Sequence, residues 1–266
     1  MRFLATALAL AIALSSSCRG ATAEEALPST ALVLSIDVSG SVDDSRYRLQ
    51  LEGVAEALSD PVTLSAISAS GGAGIYLAIV TWADGAEVSI DWRRVASAAD
   101  AAAVAADVRR IPRTPGEFTC VAQMLRTVSE RLLPALPSPV EQAVVDVSGD
   151  GIDNCGDLRE VHEARDAVLA RGATVNGLPI LVPGENDVVG AGAFRKPGYG
   201  LRAMGQDTSD QHSTTLDRWY REHVIGGPGA FLLVARGYED FSRALRRKLV
   251  TEISFLMTTA SGARPR

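Results

Sequence analysis

Three uninterrupted apolar runs, each closing on an aspartate, set the strongest limit on what this chain can fold into. TALVLSID (30–37), GIYLAIVTWAD (74–84) and EQAVVDVSGDG (141–151) show no apolar–polar alternation. A strand without alternation is one covered on both faces. Segments of helical period lie between them, at 43–60, 97–111, 119–133 and 157–172. Strands ATVNGLPILV (173–182) and GAFLLVAR (229–236) and helices over 214–226 and 238–256 complete the series. Only AEVSIDW (86–92) alternates. It follows the turn ADG, as a hairpin partner at a sheet edge would. This order predicts an α/β fold, a doubly wound, mostly parallel sheet with helices on both faces and one short antiparallel edge strand.

In such sheets ligands bind beyond the C-terminal strand ends. Asp37, Ser39, Ser41 and Asp150 fall there. Net charge is −6, which argues against a general nucleic-acid binder. The first 23 residues combine an early Arg2, a short apolar core and ATA at 21–23, the pattern of a secretory leader cleaved after Ala23. Cys18 raises a lipoprotein alternative, although SSSC has serine where a lipid-attachment motif carries leucine. Cleavage leaves Cys120 and Cys155, which an oxidising compartment would join and which otherwise are two buried thiols. The expected mature protein is periplasmic or secreted, has no second apolar segment of membrane-spanning length, and forms one domain over 28–258. Within it, 184–213 reads as a loop insertion, and 259–266 as a disordered tail.

The D-x-S-x-S pattern of Asp37, Ser39 and Ser41 offers one carboxylate and two hydroxyls. Hard oxygens suit Mg²⁺, Mn²⁺ or Ca²⁺. The same residues at a strand-to-helix junction can instead cap the helix, as can Asp43 or Asp44. On this motif alone both readings stand.

DVSGS after a buried N-terminal strand resembles the metal-ion-dependent adhesion site (MIDAS) of von Willebrand factor type A (vWA) domains, a three-layer Rossmann-type fold. The resemblance implies a threonine opening a helix on a second loop, matched by Thr119 in GEFTCVAQML, and an aspartate at a later strand end, matched by Asp150 in VVDVSGDG. It further implies a divalent cation, Mg²⁺ foremost, held by Asp37, Ser39, Ser41, Thr119 and Asp150, and a partner protein whose acidic residue completes its shell. The later loop departs from the common T-D-G pattern, so Asp146 and Asp153 stand as alternatives to Asp150. Asp146 lies inside an apolar strand and needs a partner if it points inward. A Cys120–Cys155 bridge would brace two of the three loops. VSGDG, VNGLPI, LDRWYREHVIGGPGAF and KLVTEI also resemble an uncharacterised family of exported bacterial vWA-like proteins.

Other chemistries fit less well, and no enzymatic activity is expected. GDGIDN (149–154) imitates a haloacid-dehalogenase-type phosphatase motif. That mechanism needs a second acid where Ser39 stands and a lysine before the GDG turn, and no lysine occurs between Asp37 and Asp150. No phosphate loop or nucleophile elbow appears. His162, His212 and His223 lack metalloprotease spacing, RALRRK (243–248) reads as a solvated helix face, and IGGPG (225–229) as a turn. The rival to adhesion is a structural vWA-like envelope domain without a working metal site.

Overall fold

The computed structural model describes residues 27–69, 72–190 and 213–260. The expected leader, the tail beyond 260 and most of the 184–213 insertion lie outside the described residues, as does His212. Strand β1 (Thr30–Asp37) is buried along its whole length because it pairs on both sides, in parallel with β2 (Ile75–Trp82) and with β4 (Gln142–Gly149). Next to β2 lies β3 (Ala86–Val95), antiparallel and alternating in burial. Beyond β4 come β5 (Ala173–Leu181) and β6 (Ala235–Arg236), giving the order β3-β2-β1-β4-β5-β6. The edge strand is longer than its seven-residue motif, since pairing runs on to Val95 against Ile75.

Side chains alternate across β1, so the two faces build separate cores. Leu32, Leu34 and Ile36 pack with α1 (Asp44–Ser59), α3 (Ala98–Val108) and α7 (Phe241–Ala260). Ala31 and Val33 pack with α4 (Val121–Thr127), α5 (Leu158–Ala170) and α6 (Leu216–Trp219). A π-helical turn extends α4 over Val128–Leu132 and α6 over Tyr220–Val224. Helices α1 and α7 meet at Gly53, where an added Cβ would lie 2.7 Å from the Phe241 ring.

Two expectations are corrected. Beyond the helix expected over 43–60, a second one that the pattern did not show, α2 (Pro61–Ser68), opens on Pro61, and Asp60 both closes α1 and caps α2 by accepting from the Val62 and Thr63 N–H groups. Proline is at ease in a first turn, where its missing N–H is not needed. The strand expected over 229–236 shrinks to two residues. Asn176 on β5 takes the Phe231 N–H with its side-chain Oδ1, leaving only isolated bonds between Gly177 and Phe231 or Leu233. The ends of the 184–213 insertion are tied by paired backbone bonds between Val189 and Thr214, at 2.8 and 2.9 Å.

Candidate functional site

The first loop begins where β1 stops. Asp37 Oδ1 accepts the Ser39 N–H at 2.8 Å, curling the chain back so that Ser39 and Ser41 bring their hydroxyls to 3.4 Å from each other. Gln50 on α1 steadies the strand end by donating to the Asp37 carbonyl. Capping of α1 falls to Asp43, which accepts from Ser45 and Arg46. The capping alternative therefore does not consume Asp37, Ser39 or Ser41.

The third loop closes on the first. Ser41 Oγ donates to Asp150 Oδ1 at 2.5 Å, and the Asp150 N–H points to Asp37 Oδ2 at 3.4 Å. Gly149 permits this approach, because a Cβ there would stand 2.8 Å from Asp37 Oδ2 and 2.9 Å from the Tyr220 hydroxyl. Thr119, on the second loop, places its Oγ1 about 3.1 Å from the Cβ direction of Gly151. Its N–H donates to Asn154 Oδ1, and its carbonyl accepts from the Asn154 N–H. All five expected residues thus come from three loops to one end of the sheet. Asp37, Ser39, Thr119 and Asp150 are buried, and Ser41 is half-buried.

The two alternatives to Asp150 are occupied elsewhere. Asp153 accepts from the N–H groups of Ala122, Cys155 and Gly156, capping α4 from a neighbouring loop. Asp146 lies within β4 on the face that packs α7, where Lys248 pairs with it at 2.9 Å. That lysine is wholly buried, which corrects the solvated reading of RALRRK at its last residue; Arg243 and Arg247 remain exposed. Cys120 and Cys155 form a disulfide with 5.2 Å between Cα atoms, joining the second and third loops. His162 and His223 are half-buried and hydrogen-bonded to each other at 3.0 Å.

Several site residues carry no sequence signal. Tyr238 donates to Asp150 Oδ2 at 2.8 Å. Arg46 reaches within 3.9 Å of the same oxygen while its ring-facing side covers Tyr238 and its far end holds Glu185 at 2.7 Å. Asn186 donates to the Asp150 carbonyl and to the Ile180 carbonyl.

Electrostatics follow from burial. Asp37 is pushed up to about 7, first by desolvation and then by the negative charge of Asp150, against the Ser39 hydrogen bonds. Asp150 is also raised by burial, and the bonds from Ser41 and Tyr238 and the charge of Arg46 oppose the rise. Two buried carboxylates, with the Ser39 and Ser41 hydroxyls between them and Thr119 on the adjoining loop, form an oxygen-only set lacking a full counter-charge. Such a set fits a hard divalent cation. Among the described residues no three of His, Cys, Asp and Glu gather as a metal cluster, so any cation here depends on the hydroxyls.

A family model described as "Protein of unknown function (DUF1194)" matches residues 27–257. The chain belongs to the DUF1194 family. No curated protein matches it. Among solved structures, this DUF1194 chain resembles proximal thread matrix protein 1 from the mussel byssus with a zinc-occupied MIDAS motif, at 16% identity and a TM-score of 0.56 over 87% of this chain and 48% of that one. It also resembles a von Willebrand factor type A protein from Catenulispora acidiphila, at 17% identity and TM-score 0.54 over 85% of this chain and 43% of the other. The pilus adhesin SpaC of Lactobacillus rhamnosus GG matches at 14% identity and TM-score 0.52 over 89% and 31%. The DUF1194 chain spans less than half the length of these chains. Its fold is the vWA fold.

Proposed function

We propose that this protein is a metal-ion-dependent protein-binding domain exported to the bacterial envelope. The observation that carries the reading is the meeting of Asp37, Ser39, Ser41, Thr119 and Asp150 from three loops, with two buried carboxylates left short of positive charge. The hydroxyls of Ser39, Ser41 and Thr119 supply neutral donors, and Asp37 and Asp150 supply charge. A bound divalent cation, Mg²⁺ foremost with Mn²⁺ or Ca²⁺ as substitutes, offers an open position to a carboxylate of the partner.

The chain's own residues prepare that position. Asp37 is fixed by the Ser39 N–H and held ionisable only against desolvation, so it gains most from a cation. Asp150 is aimed by Tyr238 and Ser41, and Asn186 fixes its backbone. The disulfide holds the Thr119 and Asp150 loops together, which suits an oxidising compartment. Among the described residues no helix is long and apolar enough to cross a membrane.

Calorimetric titration with Mg²⁺ and Mn²⁺ tests the reading. Wild type binds one ion, and Asp37→Ala and Thr119→Ala lose it. A metal-dependent pull-down from envelope extract with the same variants then tests the partner. Failure of wild type to bind either ion favours the structural alternative, in which Ser41, Tyr238 and Arg46 satisfy Asp150 without metal.

A further inference from the structure

Within the sheet, where β4 packs against α7, lies a buried group that the adhesion reading does not use. Lys248 Nζ sits 2.6 Å from Glu252 Oε1 and 2.9 Å from Asp146 Oδ1, with side-chain exposures of 0% for the lysine and 2% for each acid. The Phe231 ring covers the ammonium at 4.6 Å. One cation between two carboxylates leaves an excess negative charge in a low-dielectric interior, where replacement by apolar residues is often neutral or stabilising.

The choice of cation is informative. Lysine occurs only at 196 and 248, and arginine supplies the rest of the 26 basic residues. Arginine is the better residue for a buried ion pair and cannot lose its proton, whereas a buried lysine can become a neutral nucleophile. The two acids also differ. Glu252 Oε1 accepts from Asn176 Nδ2 at 2.6 Å as well as from Lys248. Asp146 meets the Lys248 ammonium at 2.9 Å and takes no donor besides it among the described residues, so its second oxygen is left without a partner. The charge and close contact of Lys248 are what support an Asp146 anion, against burial and the charge of Glu252.

We propose that Lys248 and Asp146 condense into an intramolecular amide that ties α7 to β4, with Glu252 as the proton acceptor. Glu252 takes a proton from the Lys248 ammonium. The free amine attacks Cγ of the protonated Asp146 carboxyl, an N–C bond forms, and a C–O bond breaks. The departing hydroxyl leaves as water with the second nitrogen proton, and Glu252 keeps the first. No oxidant, cofactor or co-substrate enters. With Asp146 already protonated, the Lys248–Glu252 ion pair and one neutral carboxyl become one amide, one neutral acid and one water, so charge balances on both sides.

Two features agree with this course. Burial raises the Asp146 carboxyl to about 7, so the protonated electrophile is populated near neutral pH. A cavity of about 10 Å³ touches Asp146, lined by Ser35, Ser148 and Phe241 among others. That is about the space one water needs.

Intact-mass spectrometry of the purified wild-type protein tests the proposal and depends on no variant folding. The expected mass is one water below that of the disulfide-bonded sequence, and digestion yields a branched peptide joining the 146 and 248 regions. Glu252→Gln restores the lost water, as does Asp146→Ala. A wild-type mass with no water missing overturns the proposal and leaves an ordinary ion triad. A link from Lys248 to Glu252 overturns the choice of electrophile, and a linked Glu252→Gln protein overturns the role of Glu252.

Discussion

Asp37→Asn separates the electrostatic load of the candidate site from its architecture. In metal-free protein the Asp37 carboxyl moves from 3.8 to about 7 on folding, a rise of about 3 units. At 1.36 kcal/mol per unit this amounts to about 4 kcal/mol. The folded pKa lies above the unfolded one, so the folded state holds more protons between the two values. Stability is therefore fullest below about 3.8 and falls as pH rises through 7. Asparagine keeps the shape and the Oδ1 acceptor for the Ser39 N–H but carries no charge. Urea unfolding in chelator should find the variant close to wild type at pH 4 and more stable at pH 8 by roughly 2 to 4 kcal/mol, the lower figure allowing for a weakened contact with the Asp150 N–H. Asp146, free or joined to Lys248, is the same in both proteins, so it cancels in the difference. With Mg²⁺ or Mn²⁺ added, wild type should gain stability and the variant should not. A variant less stable than wild type at pH 8 in chelator, or a difference that ignores pH, refutes the reasoning.

Two further predictions concern the frame around the site. Reducing the Cys120–Cys155 bond opens a loop of 35 residues and should lower stability by about 4 kcal/mol, read from denaturant midpoints with and without reductant; metal affinity measured in parallel should fall, and an unchanged affinity would show that the bridge does not hold the loops in place. Gly53→Ala should destabilise by about 1 to 3 kcal/mol in thermal melts, since its new Cβ meets the buried Phe241 ring at 2.7 Å and outweighs the roughly 1 kcal/mol helix preference for alanine.

The parts of the fold legible in the sequence were those fixed by burial on two faces. Strands β1, β2, β4 and β5 announce themselves because each is paired and covered on both sides. Strand β6 does not, because a side chain, Asn176, takes the N–H that an apolar sequence suggests would go to a ladder. Helix α2 hid behind Pro61, a residue that ends one helix and starts another equally well, and Asp60 decides between the two. At the site, Asp37, Ser39 and Ser41 share a short motif, and Thr119 and Asp150 mark loops at expected strand and helix ends. Arg46, Tyr238 and Asn186 reach Asp150 from three other elements, and no local pattern encodes such meetings. The need of Asp146 for a partner was readable from its apolar setting. That the partner would be Lys248, at the end of a strongly basic helix stretch, was not.

The paired bonds between Val189 and Thr214 make the stretch between them a cassette. Its two ends are stapled side by side, so its length and composition can change at a loop-entropy cost that grows only slowly with size. The stapled base lies three residues beyond Asn186, whose amide grips the carbonyl of Asp150. A stretch of another length or composition could therefore stand between Val189 and Thr214 while the loop below it stays in register, and a designer could graft there for the same reason.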